Sequence, residues 1–210
     1  MEGLHLTKSD LAQDYSCEVC EVAKARRMSY KNTKPYRAQV PLERVHIDKG
    51  GPITPPTFGG KRLYELYVDE GSRYKWLCLL TSKSESFDNF KKFYVTVERQ
   101  HEYKLKTIMT DNAKQYMSKE NNAYCSGIGI EQLYTNPYSP ASWRTSGMDN
   151  QYWGEALNYV VYTENRSPSK ALDGKTPFEA LYGRKPNIDH LRPLGCSAFA
   201  FIDKAKRAKL

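Results

Sequence analysis

The residues with the type and spacing for chemistry begin with Asp111. It sits within Thr110-Asp111-Asn112, a turn-forming cluster directly after the short apolar run Leu105–Met109. A carboxylate at the mouth of a buried strand is held rigidly by the strand while the following loop admits ligand and solvent. Such a residue suits a metal-binding role. A second pattern is Cys17-Glu18-Val19-Cys20, half of a tetrahedral zinc site. Two more ligands are needed, and His5 is the one nearby candidate, so a zinc-free pair of thiols stays equally open. A third is the basic run Lys24, Arg26, Arg27, Lys31 and Lys34, with Tyr30 and Tyr36 interleaved. That mixture can lie along a phosphate backbone, or form an ordinary solvated arm.

The elements that position Asp111 follow from local pattern. In PLERVHIDKG, residues 41–50, Val45 and Ile47 alternate with His46 and Asp48, and Gly50-Gly51-Pro52 ends the strand. Leu63–Asp69 and Tyr74–Leu80 read as two further strands with short connections, so the three form an antiparallel meander. Ser82-Lys83-Ser84-Glu85 fits a capping box. The helix it starts carries Phe87, Phe90, Tyr94 and Val97 as an apolar stripe and ends near His101. A helix between the third strand and the strand leading to Asp111 is a crossover, so that fourth strand runs parallel to a neighbour. The result is a mixed α/β sheet. Beyond it, Ser118–Ser126 reads as a short helix closed by Gly127, and Ile128–Tyr134 as a strand. A helix starts near Asp149 and ends before Pro168. Thr176-Pro177-Phe178-Glu179 opens another that Gly183 closes, and Cys196–Ile202 reads as a last strand.

The chain has 210 residues, enough for one good core with attachments or for two small domains. A net charge of +8 and a pI of about 9.1 favour a polyanionic partner, although charge alone leaves a soluble basic protein equally open. No apolar run is long enough to span a bilayer, and MEGLHLTKSD does not read as a secretory signal. Five cysteines in such a chain are expected to be reduced thiols in an intracellular compartment.

Taken in order, CEVCEVAKARR, PLERVHIDKGGPI, VDEGSRYKWLCLLTSKSE, TDNAKQY, NPYSP, YWGEALN, NRSPSKAL and KTPFEALYGRKPNIDHLRPLGC resemble the integrase region of Ty1/copia-type retrotransposon polyproteins. The resemblance covers nearly the whole chain. It implies a ribonuclease-H-like core whose carboxylates form an Asp-Asp-Glu set, with Asp48 matching the first aspartate and Asp111 the second. It implies Mg²⁺ or Mn²⁺ as cofactor, and DNA (retroelement ends and target) as partner. Homo-oligomers and a nuclear location come with it. Cys17 and Cys20 match the cysteine half of a His-His-Cys-Cys zinc module whose histidine half would precede Met1, so truncation at the start is expected. The implied organisation is a remnant of the zinc-binding segment and basic arm over residues 1–40, a ribonuclease-H-like core over 41–166, and a C-terminal extension over 167–210.

The resemblance fails at one place. In the family, PYSP-type residues lead into a Gln-Asn-Gly-Val-Ala-Glu-type segment that supplies the third carboxylate. Here Ala141-Ser142-Trp143-Arg144-Thr145-Ser146-Gly147-Met148 leads directly into DNQYWGEAL. A deletion near 141–146, removing the glutamate and most of the basic helix it starts, is the simplest reading. Asp149 and Glu155 are the available substitutes. Asp149 also fits a helix cap, and Glu155 matches the family's own WGEA. Asp69 is expected to be a loop or strand-end residue, and His46 and His190 partly buried or capping residues. Three functions follow: a catalytically impaired integrase core, an active polynucleotidyl transferase or nuclease using Asp149 or Glu155, and a non-catalytic nucleic-acid-binding module.

Overall fold

The computed structural model describes residues 37–111, 118–135 and 149–195. Cys17, Cys20, the basic run Lys24–Lys34, the 141–146 region and the expected strand Cys196–Ile202 lie outside these residues. Strands β1 (Arg44–Gly50), β2 (Leu63–Asp69) and β3 (Lys75–Leu80) form the antiparallel meander. Helix α1 (Ser86–Gln100) crosses over to β4 (Thr107–Asp111), and α2 (Lys119–Gly127) leads to β5 (Glu131–Thr135). Both β4 and β5 run parallel to their neighbours, so the sheet is mixed, in the order β3-β2-β1-β4-β5. Helices α3 (Trp153–Glu164) and α4 (Pro177–Tyr182) follow. Among the described residues no helix is long and apolar enough to cross a membrane.

Strand alternation divides the core between two faces of the sheet. Val45, Ile47, Tyr67 and Ile108 lie on one face, where α1 covers them with Phe90, Phe93 and Val97, and α2 with Cys125. On the other face Tyr64, Leu66, Leu77 and Leu79 pack under Trp153 and Leu157 of α3. The stripe on α1 is rotated from the one expected from spacing. Phe90 and Val97 are buried as expected and Phe93 joins them, stacked on Tyr67 at 4.3 Å between centroids, while Phe87 and Tyr94 flank Tyr124 at the margin. The strand expected over Ile128–Tyr134 begins only at Glu131. Ile128 caps α2, and Gly129 turns the chain at φ +75°, a conformation that favours glycine.

The expected caps are present. Glu85 accepts the N–H groups of Thr81 and Ser82 at 3.0 and 3.1 Å, with the first turn after Ser82 being 3₁₀ rather than α. Thr176 Oγ1 accepts the N–H of Glu179 at 3.0 Å, and Gly183 closes α4 at φ +70°. Asn165, after α3, brackets β3: its side chain accepts the N–H of Lys75 and donates to the Lys75 carbonyl, both at 2.8 Å.

Asp69 does end a strand, and it is also fully buried. Its carboxylate accepts the backbone N–H groups of Leu42 (2.9 Å) and Ser72 (2.7 Å) and the Ser72 hydroxyl. It thereby ties the segment entering β1 to the β2–β3 turn. Burial pushes its carboxyl above the usual range, and the donated hydrogen bonds from Ser72 and Leu42 oppose that shift. Asp69→Ala removes the acceptor and strands these donors. It is expected to destabilise the fold by about 3 kcal/mol in urea titration.

Candidate active site

Asp48 lies near the carboxyl end of β1, and Asp111 is the last residue of β4. The two strands are parallel neighbours whose final paired rung is Ile47 with Thr110. One step further along both strands are Asp48 and Asp111. Adjacent strands lie about 4.8 Å apart, so residues distant in sequence occupy neighbouring positions at one edge of the sheet. Asp48 is half-buried, and its carboxylate accepts the N–H of Lys49 at 2.9 Å. Gly51 then turns the chain at φ +109°, where a Cβ would stand 2.6 Å from the Arg62 carbonyl oxygen. Only glycine makes that turn without strain. The strand carrying Asp48 is therefore held directly after the carboxylate.

The backbone register thus sets two aspartates, residues with hard anionic oxygens, at adjacent strand ends. Hard oxygen donors of this kind fit Mg²⁺ or Mn²⁺. Among the described residues no three His, Cys, Asp or Glu side chains gather into a metal-binding group. Asp149 caps the 3₁₀ turn before α3, accepting the Gln151 N–H at 2.9 Å. Glu155 is exposed in the first turn of α3, the helix that packs over β2 and β3. His46 meets Glu70 at 3.2 Å, and His190 meets the Tyr162 hydroxyl at 2.6 Å, each at a separate surface position.

Beneath the site lies a buried polar cluster that the sequence reading did not single out. Lys49 points to the face opposite Asp48, where its ammonium meets the fully buried Glu65 at 2.9 Å and donates to the Ser86 hydroxyl at the start of α1. The Tyr67 hydroxyl donates to Glu65 at 3.0 Å. Burial, and then the Glu65 charge, hold the Tyr67 phenol well above its usual range and push the Cys78 thiol up to about 11. A signal for the cluster was available. Lys49 is in phase with Val45 and Ile47, and Glu65 with Tyr67, so the meander register sets opposite charges face to face in the core. Breaking a buried pair from one side leaves an uncompensated charge. Glu65→Leu is expected to cost about 3–5 kcal/mol in denaturant titration, and Lys49→Met combined with it to recover most of the loss.

No protein-family model matches the chain. It is 31% identical over 212 residues to the retrovirus-related Pol polyprotein from transposon TNT 1-94 of Nicotiana tabacum, covering 92% of this chain and 16% of that protein. The Pol polyprotein from transposon RE2 of Arabidopsis thaliana is 27% identical, covering 93% and 14%. The Ty1-LR3 Gag-Pol polyprotein of Saccharomyces cerevisiae is 20% identical, covering 88% and 12%. The chain thus spans 12–16% of the length of these relatives. Among solved structures, a chain of the simian T-cell lymphotropic virus intasome in complex with PP2A regulatory subunit B56 gamma superposes with a TM-score of 0.51. It is 19% identical, and the match covers 78% of this chain and 63% of that one. The mixed five-stranded sheet flanked by helices is the ribonuclease-H-like fold of retroviral integrase catalytic cores.

Proposed function

Because this chain is homologous to Ty1/copia-type retrotransposon Pol polyproteins and has an integrase-core fold, we propose that it engages DNA ends and holds a divalent cation with Asp48 and Asp111, but lacks efficient strand transfer. The observation that carries this reading is the β1–β4 register, which supports a two-carboxylate site at one sheet edge. When bound there, Mg²⁺ or Mn²⁺ supplies charge neutralisation and Lewis-acid activation at a phosphoryl oxygen. The chain's own residues prepare that site. Asp48 and Asp111 provide hard anionic oxygens, and the Lys49 N–H orients the Asp48 carboxylate from its own strand. In-line displacement at phosphorus draws on a second ion, which needs a further carboxylate. The sequence has no glutamate between Glu131 and Glu155, and Asp149 already serves as a cap. That gap supports impaired catalysis. Cys17 and Cys20 contribute at most half of a zinc site, and Lys24, Arg26, Arg27, Lys31 and Lys34 are the residues for phosphate contact. The same reading places the protein on nuclear DNA, in assemblies of more than one copy. Residues 1–40 then serve as the arm, 41–166 as the core and 167–210 as its extension.

With Mn²⁺ and a duplex carrying a retroelement end, the purified protein is expected to show neither 3′-end processing nor strand transfer on a sequencing gel. Activity that Asp111→Asn abolishes would overturn the impaired reading. Binding to duplex DNA should persist and depend on salt. Neutralising about four phosphates lowers affinity on the order of a hundredfold between about 50 and about 200 mM salt. Binding that is absent at low salt, or indifferent to salt in an anisotropy titration, contradicts the DNA reading.

A further inference from the structure

An exposed aromatic pair joins the β1–β2 loop to the turn before α3. Phe58 is 63% exposed and Tyr152, just before α3, is 42% exposed; their rings meet edge to face with centroids 4.9 Å apart. This loop continues from the end of β1 that carries Asp48. It is also well braced. Thr57 accepts the Gly60 N–H on its carbonyl at 2.8 Å and donates its own N–H to the Lys61 carbonyl at 2.9 Å. The Trp153 indole donates to the Pro55 carbonyl at 3.2 Å. At Gly154 an added Cβ would stand 2.9 Å from Thr57, so α3 and the loop approach as closely as glycine permits. The two rings are thus held by fixed backbone on both sides while remaining open to solvent.

The surroundings narrow the occupant. Arg62, at the end of this loop, is exposed, and its N–H donates to the Leu80 carbonyl at 2.9 Å. Lys61 pairs with Glu85 at 3.3 Å, and Asp149 and Glu155 are exposed three residues on either side of Tyr152, so the surroundings are mixed in charge and the ring faces themselves are what the site offers. Two rings flanked by Gly59 and Gly60 offer far less than the roughly 800 Å² per partner of a stable protein interface. One planar base needs only one ring face, and base–aromatic stacking tolerates any sequence. We propose that Phe58 and Tyr152 form a stacking platform for an unpaired nucleotide at the end of a DNA duplex engaged at Asp48 and Asp111. The role rests on the DNA-handling reading above.

The test compares a blunt duplex with the same duplex bearing a short unpaired overhang, by anisotropy, with 2-aminopurine in the overhang as a stacking reporter. The full chain and its Phe58→Ala and Tyr152→Ala variants are used. The wild type is expected to bind the overhang about tenfold more tightly than the blunt end and to quench the reporter. Each variant should lose that preference and the quench, while keeping its melting temperature and its affinity for the blunt duplex. A preference that is absent, or intact in both variants, with blunt-end binding retained, overturns the platform and leaves the DNA reading standing. Failure to bind either duplex at low salt overturns both. Self-association that the variants abolish, with no change in overhang preference, assigns the rings to a second copy of the chain and overturns the platform.

Discussion

The parallel pairing of β1 with β4 is the constraint on which the rest of the structure depends. An antiparallel partner would deliver its carboxyl end to the opposite edge of the sheet. Parallel pairing brings the carboxyl ends of both strands, and hence Asp48 and Asp111, to the same edge. It requires a crossover, and α1 is that crossover. Its buried Phe90, Phe93 and Val97 seat it on the sheet face opposite the position of Asp48. The core on that face therefore fixes the spacing of the two strand ends that carry Asp48 and Asp111.

The Lys49–Glu65 pair makes this coupling tighter. Lys49 follows Asp48 directly, so the strand sends one side chain to the site edge and the next into the core. The ammonium joins β1 to Glu65 of β2 and to Ser86 at the start of α1. Well-packed apolar residues often match or exceed a buried ion pair in stability. Its contribution here is positional, since it ties the strand, its neighbour and the crossover helix together one residue from Asp48.

Much of this was legible in the sequence because the local signals agreed. Alternation in VHIDKG, the capping box at Ser82–Glu85 and the Thr176–Glu179 start all specify backbone that the tertiary structure keeps. The rotation of the α1 stripe toward Phe93 was not legible. Spacing defines an apolar face only to within a residue, and the stacking of Phe93 on Tyr67 decides its centre. The late start of β5 follows from Gly129, whose left-handed turn interrupts a run that composition alone reads as strand. For the proposed site, the two aspartates and the absence of a glutamate between Glu131 and Glu155 are sequence features. The register that makes Asp48 and Asp111 neighbours comes from strand pairing, and the family resemblance supplied it in advance. The Phe58–Tyr152 contact joins residues far apart in the chain, and no local pattern encodes it.

The central claim is a shared two-carboxylate cation site without a third member. It is tested most directly by titrating Mn²⁺ into the protein and counting bound ions by electron paramagnetic resonance, alongside Asp48→Asn and Asp111→Asn. The account predicts one ion per chain, released by either substitution. Two tightly held ions, or binding that survives both substitutions unchanged, would contradict it.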